Sequence, residues 1–168
     1  IRTLLALAAQ NGYSVWQADI SQAFLYADLE EEIYVEMPEG FSEFDTDGEP
    51  FVWKLKKSLY GLKQAPRQWS KHFESFLIHE CKLEQTVQDS CLYKHIDSED
   101  GTVVYLLVYV DDLMLVTNNS KMHQKFLEKL KPKFEFTDLG KLEWMLAVHV
   151  TQTDGKISLD QTKYMTDV

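Results

Sequence analysis

Two adjacent carboxylates stand inside a stretch that is otherwise as apolar as a buried strand. Asp111 and Asp112 follow the apolar run 103–110 and precede the apolar run 113–116. Burying an unpaired charge costs several kcal/mol, so a folded chain must neutralise carboxylates in such a position. A divalent cation does this with oxygen ligands. The pattern therefore predicts metal-supported chemistry at a tight turn.

A third carboxylate, Asp19, ends another predicted strand, 15–19, and a short helical turn at 21–26 follows it. If the two strands are neighbours in one sheet, the three carboxylates converge on one point. Such a cluster holds two Mg²⁺ ions about 3.5–4 Å apart, which activate an attacking oxygen and stabilise the leaving group of an in-line displacement. Because aspartates are common at strand ends, the spacing alone leaves the function open.

The elements that must position these carboxylates alternate between helix and strand patterns. Trp69, Phe73 and Leu77 recur at helical spacing, which predicts a helix from Pro66 to about residue 80. Other predicted helices cover 4–9, 120–130 and a final segment that Asp160 caps, and other predicted strands cover 33–37, 51–55, 91–96, 103–110, 134–136, 142–150 and 156–159, with a polar loop at 41–49.

The composition is typical of an intracellular globular protein. The 168 residues fit one domain or a fragment of something larger, and a hydrophobic content of 45% suffices for a packed core. No stretch reaches the about 18 apolar residues of a membrane span, so no membrane partner is expected. Cys81 and Cys91 have no metal-like spacing and are interpreted as reduced core thiols. Both ends of the chain lie in helix-like patterns, which suggests an excised piece.

The net charge of −10 is unevenly distributed. A single charge run is usually a solvated face. Here the basic run 54–71 is accompanied by three aromatic residues, Trp53, Tyr60 and Trp69, and this combination favours a phosphate or nucleotide surface. The acidic run 28–50 holds Asp28, Glu30, Glu31, Glu32, Glu36, Glu39, Glu43, Asp45, Asp47 and Glu49 without a Lys or Arg; the basic run 54–71 holds Lys54, Lys56, Lys57, Lys63, Arg67 and Lys71 without an acid; Lys121, Lys125, Lys129, Lys131 and Lys133 form a second basic cluster.

Four blocks in the order 16–25, 31–41, 53–69 and 109–112 resemble the reverse transcriptase of copia-type LTR retrotransposons. The long block 53–69 is the most family-specific. The resemblance implies an α+β polymerase palm, an antiparallel sheet backed by helices, with part of the fingers and with the thumb largely missing. On this resemblance, residues 1–168 are expected to form a single reverse transcriptase domain fragment, in which the thumb starts at about residue 160.

The resemblance implies a catalytic and metal-binding set. Asp19 and Asp111 match the family's main metal ligands, and Asp112 matches the paired aspartate, whose metal role is weaker. The backbone carbonyl of Ile20 is expected to add a ligand. The expected cofactor is a pair of Mg²⁺ ions, with Mn²⁺ as the alternative metal.

A nucleotide-binding set is implied as well. Phe24 matches the aromatic residue that lies under the incoming sugar and rejects a 2′-hydroxyl; its alternative role is core packing. Gln64 matches the nucleotide-site glutamine, beside Ala65, whose small side chain lets the backbone approach the nucleotide. Lys63 and Arg67 are candidates for phosphate or template contact, with the alternative that both are merely solvated.

Primer contacts are expected from Tyr109, Trp144 and Met145. Tyr109 adjoins the paired aspartates, and an ordinary strand aromatic is the alternative. Trp144 and Met145 lie in the block 142–148, which resembles the family's primer grip. Ala147 stands in that block where the family usually has glycine.

The implied function is RNA-directed DNA synthesis from dNTPs on a primed RNA or DNA template. The remainder of a Pol polyprotein (fingers, thumb, RNase H) is the expected partner, and a cytoplasmic virus-like particle or the nucleus is the expected location. A decayed or domesticated remnant, at most a nucleic-acid-binding module, stays open as the alternative. A nucleotide cyclase is disfavoured because its turn usually reads Gly-Gly-Asp or Gly-Gly-Glu.

Overall fold

The structure, a computed structural model, describes residues 1–41, 43–153 and 155–167. The chain divides into two compact units, residues 1–21 with 75–168 and residues 22–74. The helices are α1 (Arg2–Asn11), α2 (Ala65–His79), α3 (Ser120–Leu130) and α4 (Thr162–Asp167), with a 3₁₀ turn at Ala23–Tyr26. The strands are β1 (Ser14–Ile20), β2 (Tyr34–Glu36), β3 (Val52–Lys54), β4 (Glu84–Gln85), β5 (Leu92–Ile96), β6 (Val103–Tyr109), β7 (Asp112–Thr117), β8 (Phe136–Lys141), β9 (Trp144–Met145), β10 (Val148–Thr153) and β11 (Lys156–Asp160).

The first unit is built on a six-stranded sheet in the order β4-β5-β6-β7-β1-β8, in which every neighbouring pair is antiparallel. Strand β7 is buried at every position after its first, because it lies in the middle of the sheet and is covered on both faces. The predicted α+β fold with an antiparallel sheet backed by helices is confirmed.

Helices cover the sheet on opposite faces. Alternation along β1 places Trp16 and Asp19 on opposite faces. On one face, Trp16 stacks on His123 of α3 with 4.2 Å between ring centroids. On the other face, α1 packs over the sheet and ends at Gly12, whose φ of 68° suits a helix C-cap. The core on the α1 side consists of Leu4, Leu5, Ala8, Val15, Leu107, Met114, Val116, Leu142, Met145 and Val150.

Two strand predictions in this unit are wrong in extent. The segment 142–150 forms two strands, β9 and β10, because Leu146 and Ala147 turn the chain with φ values of 48° and 63°. No glycine or asparagine marks that turn. The strand predicted at 134–136 instead begins at Phe136. Phe134 donates its backbone N–H to the carbonyl of Leu130 and packs edge-to-face on Phe76, so it closes the turn that follows α3.

The second unit contains a two-stranded antiparallel ribbon, β2 with β3, which opposes Tyr34 to Lys54. The predicted strands 33–37 and 51–55 therefore form in shortened versions. In the first part of α2, Trp69 stacks on Phe73 with 4.9 Å between centroids. The predicted polar loop 41–49 includes Ser42, which lies outside the described residues. The assignment of palm, partial fingers and thumb start to a single domain stays a prediction.

The fold bears on two expectations from composition, those about membrane spans and about the cysteines. In the described part of the chain, no helix has the length and apolar character needed to cross a membrane. Cys81 and Cys91 are both free thiols, as expected. The interpretation of Cys91 as a core residue is wrong, because this side chain is exposed, one residue before β5.

Candidate active site

The paired aspartates lie at the tightest turn of the central sheet. Strands β6 and β7 are joined by two residues, Val110 and Asp111, and Tyr109 pairs with Asp112. Val110 has a φ of 57°, which a β-branched residue rarely adopts. Such strain costs on the order of 1–3 kcal/mol and persists only where the surrounding structure enforces it. The hairpin therefore holds Asp111 at its tip and Asp112 at the first position of β7.

Asp19 meets this turn because β1 lies between β7 and β8. In the register of the sheet, Asp19 is directly opposite Asp112 on one side and Thr137 on the other. The N–H of Ile20 donates to the carbonyl oxygen of Asp111 at 2.9 Å. Directly opposite residues of an antiparallel pair share a face of the sheet. The structure thus brings Asp19, Asp111 and Asp112 together.

The three carboxylates influence one another electrostatically. Partial burial raises the pKa of Asp19, and the neighbouring charge of Asp111 raises it further. Partial burial likewise raises the pKa of Asp112, with repulsion from Asp111 and then from Asp19 adding to it. Both shifts mean that the folded protein resists holding all three negative charges at once. A concentration of negative charge of this kind attracts a cation.

The oxygen atoms of this cluster suit a hard divalent cation, but they do not form a complete coordination shell. Carboxylate and carbonyl oxygens are the ligands that Mg²⁺ accepts, and Mg²⁺ usually keeps several waters and takes only one or two carboxylates. Across the described ranges, no group of three His, Cys, Asp or Glu side chains is posed to hold a metal ion. The roles of Asp19, Asp111, Asp112 and the Ile20 carbonyl as ligands stay predictions.

A cavity of about 300 Å³ adjoins Asp112. Within its wall Trp144 is 44% exposed, whereas Met145 is only 4% exposed and packs into the core. Tyr109, at the end of β6, is 51% exposed. Of the three predicted primer contacts, Tyr109 and Trp144 therefore offer side chains to solvent. The cavity is lined by Gln17, Ala18, Asp112, Leu113, Leu139, Leu142, Trp144, Met145, Leu146 and Ala147.

Two glutamines that the sequence did not single out hold the β9–β10 hairpin against β1. Gln17 Oε1 accepts hydrogen bonds from the N–H groups of Glu143 at 3.0 Å and Trp144 at 3.3 Å. Gln152 Oε1 accepts from the N–H of Val15, and its Nε2 donates to the carbonyl of Val15 at 3.1 Å. The signal available in the sequence was the polar side chain of Gln17 in the predicted strand 15–19, two residues before Asp19.

The predicted nucleotide-binding residues all belong to the second unit, residues 22–74. Phe24 is 8% exposed and its ring lies 4.5 Å from that of Tyr60, centroid to centroid. Ala65 is buried at the first position of α2. Gln64 Nε2 donates to Glu31 Oε2 at 2.8 Å. Lys63 and Arg67 are exposed. None of these placements tests the predicted roles.

The acidic and basic runs of this unit pair with each other. These contacts are exposed and screened by solvent, so they add little to the stability of the fold. The pairing reduces the number of cations available to bind a phosphate, because half of the cations in the run 54–71 already have carboxylate partners. Lys57 pairs with Asp28 at 2.7 Å, Lys71 pairs with Glu30 at 2.7 Å, and Lys54 pairs with Glu32.

Comparison with known proteins decides the family. The sequence model of the family described as "Reverse transcriptase (RNA-dependent DNA polymerase)" matches residues 1–168, the whole chain. The chain belongs to the reverse transcriptase family. The resemblance to copia-type reverse transcriptases seen in the four sequence blocks is thereby confirmed.

Relatives of this reverse transcriptase chain come from plants and yeast. It is 42% identical over 167 residues, 98% of its length, to the Retrovirus-related Pol polyprotein from transposon TNT 1-94 of Nicotiana tabacum, and 32% identical over 168 residues, 100% of its length, to that from transposon RE1 of Arabidopsis thaliana. It is 36% identical over 135 residues, 80% of its length, to the Transposon Ty1-DR4 Gag-Pol polyprotein of Saccharomyces cerevisiae. The chain spans 12%, 11% and 8% of these polyproteins, respectively.

Proposed function

We propose that this chain carries the catalytic carboxylates of an RNA-directed DNA polymerase, which adds dNTPs to the 3′-hydroxyl of a primer on an RNA template. The observation that carries the proposal is the register that sets Asp19 opposite Asp112, with Asp111 at the intervening turn. Membership of the reverse transcriptase family supports the same reaction class. The polymerase would act as part of a longer Pol polyprotein, in the cytoplasm or the nucleus.

Asp19, Asp111 and Asp112, with the carbonyl of Ile20, would hold two Mg²⁺ or Mn²⁺ ions. When bound, these ions supply positive charge to the α-phosphate and to the primer 3′-oxygen. The strained turn at Val110 keeps the Asp111 carboxylate beside the other two. Tyr109, exposed next to that turn, would lie along the primer end. Most of the rate enhancement would come from positioning and electrostatics.

In the reaction, the 3′-oxygen of the primer forms a bond to the α-phosphorus of the dNTP. The bond from that phosphorus to the bridging oxygen breaks, and pyrophosphate leaves with the bonding electron pair. The proton of the 3′-hydroxyl passes to solvent. Atoms and charge therefore balance without a further reactant.

The residues of the second unit keep the roles that the family resemblance implies. Phe24 would form a rigid apolar plate that rejects a ribose 2′-hydroxyl, and Gln64 would contact the nucleotide beside the small Ala65. Lys63 and Arg67 would contact the triphosphate or the template. Since Gln64 bonds to Glu31 in this structure, it would have to exchange that partner for the nucleotide.

The decisive experiment is primer extension on an RNA template, with the full-length polypeptide that carries these residues. Asp111→Asn keeps the shape of the side chain and removes its charge, so we expect Mg²⁺-dependent incorporation to fall by on the order of 10³-fold. Circular dichroism should show an unchanged fold. Asp19→Asn should have an effect of similar size.

Asp47→Asn is the matched control, because Asp47 is an exposed carboxylate in the loop of the other unit and should leave extension unchanged. Unchanged extension by Asp111→Asn would refute the assignment of the carboxylates. If the unmodified protein bound a primed template but incorporated nothing, the non-catalytic remnant would be the correct alternative.

A further inference from the structure

Residues 28–32 form an acidic strap that lies against the basic run 54–71 of the same unit. Four of its five residues are carboxylates, and each of the four contacts a different side chain of that run. The strap therefore engages the donors of the run one by one. Asp28 pairs with Lys57, Glu30 with Lys71 and Glu32 with Lys54, and Glu31 accepts a hydrogen bond from Gln64 Nε2.

Backbone hydrogen bonds anchor the strap at its two ends. Ser58 donates its N–H to the carbonyl of Ala27 at 3.0 Å, and Leu55 donates its N–H to the carbonyl of Ile33 at 2.9 Å. Between these anchors the described residues 28–32 belong to no helix or strand, and all four carboxylate residues are exposed. The ion contacts can therefore open by rotation of side chains, while the backbone anchors stay in place.

Glu30 lies against the first half of α2, close to the candidate phosphate ligand Arg67. Hydrogen bonds from Lys71 and Gln68 hold the pKa of Glu30 below its ordinary value, and the charges of Lys71 and Arg67 lower it further. Carboxylate and phosphate oxygens accept hydrogen bonds from the same lysine, arginine and amide donors. The ionised Glu30 therefore occupies a position beside these cations that a phosphate group would need.

We propose that the acidic strap is an autoinhibitory element, whose carboxylates occupy the donors of the basic run until the triphosphate of an incoming dNTP displaces them. This inference rests on the proposed polymerase function and adds a means of regulation to its nucleotide site. The triphosphate is the favoured ligand because Glu31 holds Gln64, the candidate nucleotide contact. A triphosphate carries several charges in one short group, so it can replace more than one of these weak, exposed contacts at once.

The test measures phosphate binding apart from nucleotide addition. Inorganic tripolyphosphate is titrated into the full-length protein by calorimetry, at low and at high salt. We expect the double variant Glu30→Gln with Glu31→Gln to bind it about three- to tenfold more tightly at low salt, because two exposed competitors lose their charge. The gain should shrink at high salt, where exposed charges are screened. In primer extension, KM for dNTP should fall by a similar factor, with kcat nearly unchanged.

The double variant Glu36→Gln with Glu39→Gln is the matched control. It removes two charges from the same acidic run, and both residues are exposed. In the described part of the chain, neither carboxylate pairs with a cation. A general effect of net charge would appear equally in both double variants, whereas release of bound donors would appear in the strap variant alone.

Two results would overturn the inference. One is a gain in tripolyphosphate affinity that is no larger in the strap variant than in the control, and the other is an effect confined to the binding of a primed template. Either result leaves the proposed function standing if the unmodified protein extends primers. Failure of the unmodified protein to extend primers would count against the function, while the tripolyphosphate titration would still decide whether the strap competes with phosphates. Thermal denaturation checks that each variant is folded.

Discussion

At the scale of single residues, the carboxylates of the candidate active site oppose the stability of the fold. Asp112 has a raised pKa because of partial burial and the charges of Asp111 and Asp19. The folded state therefore binds more protons than the unfolded state at pH values above the ordinary value of 3.8. By linkage, stability falls as the pH rises from that value through the raised pKa of the folded state.

Asp112→Asn should therefore stabilise the protein when no divalent ion is present. The asparagine removes the charge whose repulsion destabilises the folded state, so the melting temperature should rise at pH 7 and change little near pH 3, where the aspartate is already protonated. Thermal unfolding in EDTA at the two pH values measures the difference. A lower melting temperature for the variant at pH 7, or an equal gain at both pH values, would contradict the expected repulsion.

A control variant and added Mg²⁺ test further whether charge repulsion lowers the melting temperature. Asp47→Asn, which removes an exposed carboxylate, should leave the melting temperature unchanged at both pH values. Adding Mg²⁺ should raise the melting temperature of the unmodified protein by mass action, and should raise that of Asp112→Asn less.

At the scale of elements, the β9–β10 hairpin is held against β1 and borders the cavity that Asp112 lines. Its turn consists of Leu146 and Ala147, both with positive φ, where glycine or asparagine is the usual residue. Gln17 holds the start of the hairpin to β1 through the N–H groups of Glu143 and Trp144. A strained turn is therefore maintained by hydrogen bonds from outside the hairpin.

Ala147→Gly should stabilise the protein by about 0.5–1 kcal/mol. An L-residue in the left-handed region costs about 1–2 kcal/mol, from which the greater freedom of glycine in the unfolded chain must be subtracted. Urea denaturation measures the change. Ala6→Gly is the control with the opposite sign, because Ala6 is exposed within α1 and its replacement should cost about 0.8–1 kcal/mol. Destabilisation by Ala147→Gly would mean that the turn is not strained at this position.

At the scale of the whole molecule, the two units differ in how well their strands are buried. In the first unit, β7 is buried along almost its entire length between β6 and β1. In the second, the ribbon of β2 and β3 has three-residue strands, and every residue of β3 is exposed. Two-stranded ribbons of this size are marginal by themselves in water.

Hydrogen–deuterium exchange should therefore separate the units. Amides of β6 and β7 should exchange only through global unfolding, whereas those of β2 and β3 should exchange through local opening at a lower free energy. Mass spectrometry of peptides that cover 103–117 and 34–36 with 52–54 makes the comparison. Equal protection of both sets would show that the molecule opens as one cooperative unit.

The sequence by itself determined the family, the α+β class and the identity of the turn with Asp111 and Asp112, because these depend on local patterns and on blocks of residues in order. The helix predicted from Pro66 also formed, within one residue of its predicted start, since its apolar spacing and its N-terminal proline are local signals. The capping role of Asp160 followed from the same kind of signal, and its Oδ1 does accept from Thr162.

Only the tertiary structure decided which distant residues meet. The convergence of Asp19 on Asp112 depends on the position of β1 beside β7, and sheet order leaves no mark in either strand's own sequence. The split of 142–150 into two strands was invisible because the turn uses Leu146 and Ala147, which are held at positive φ by packing and by bonds from β1 instead of by their own preference. Trp144, His149 and Asp160 likewise lie opposite one another on β9, β10 and β11 only in that register, because cross-strand pairing, and not chain distance, makes these side chains neighbours.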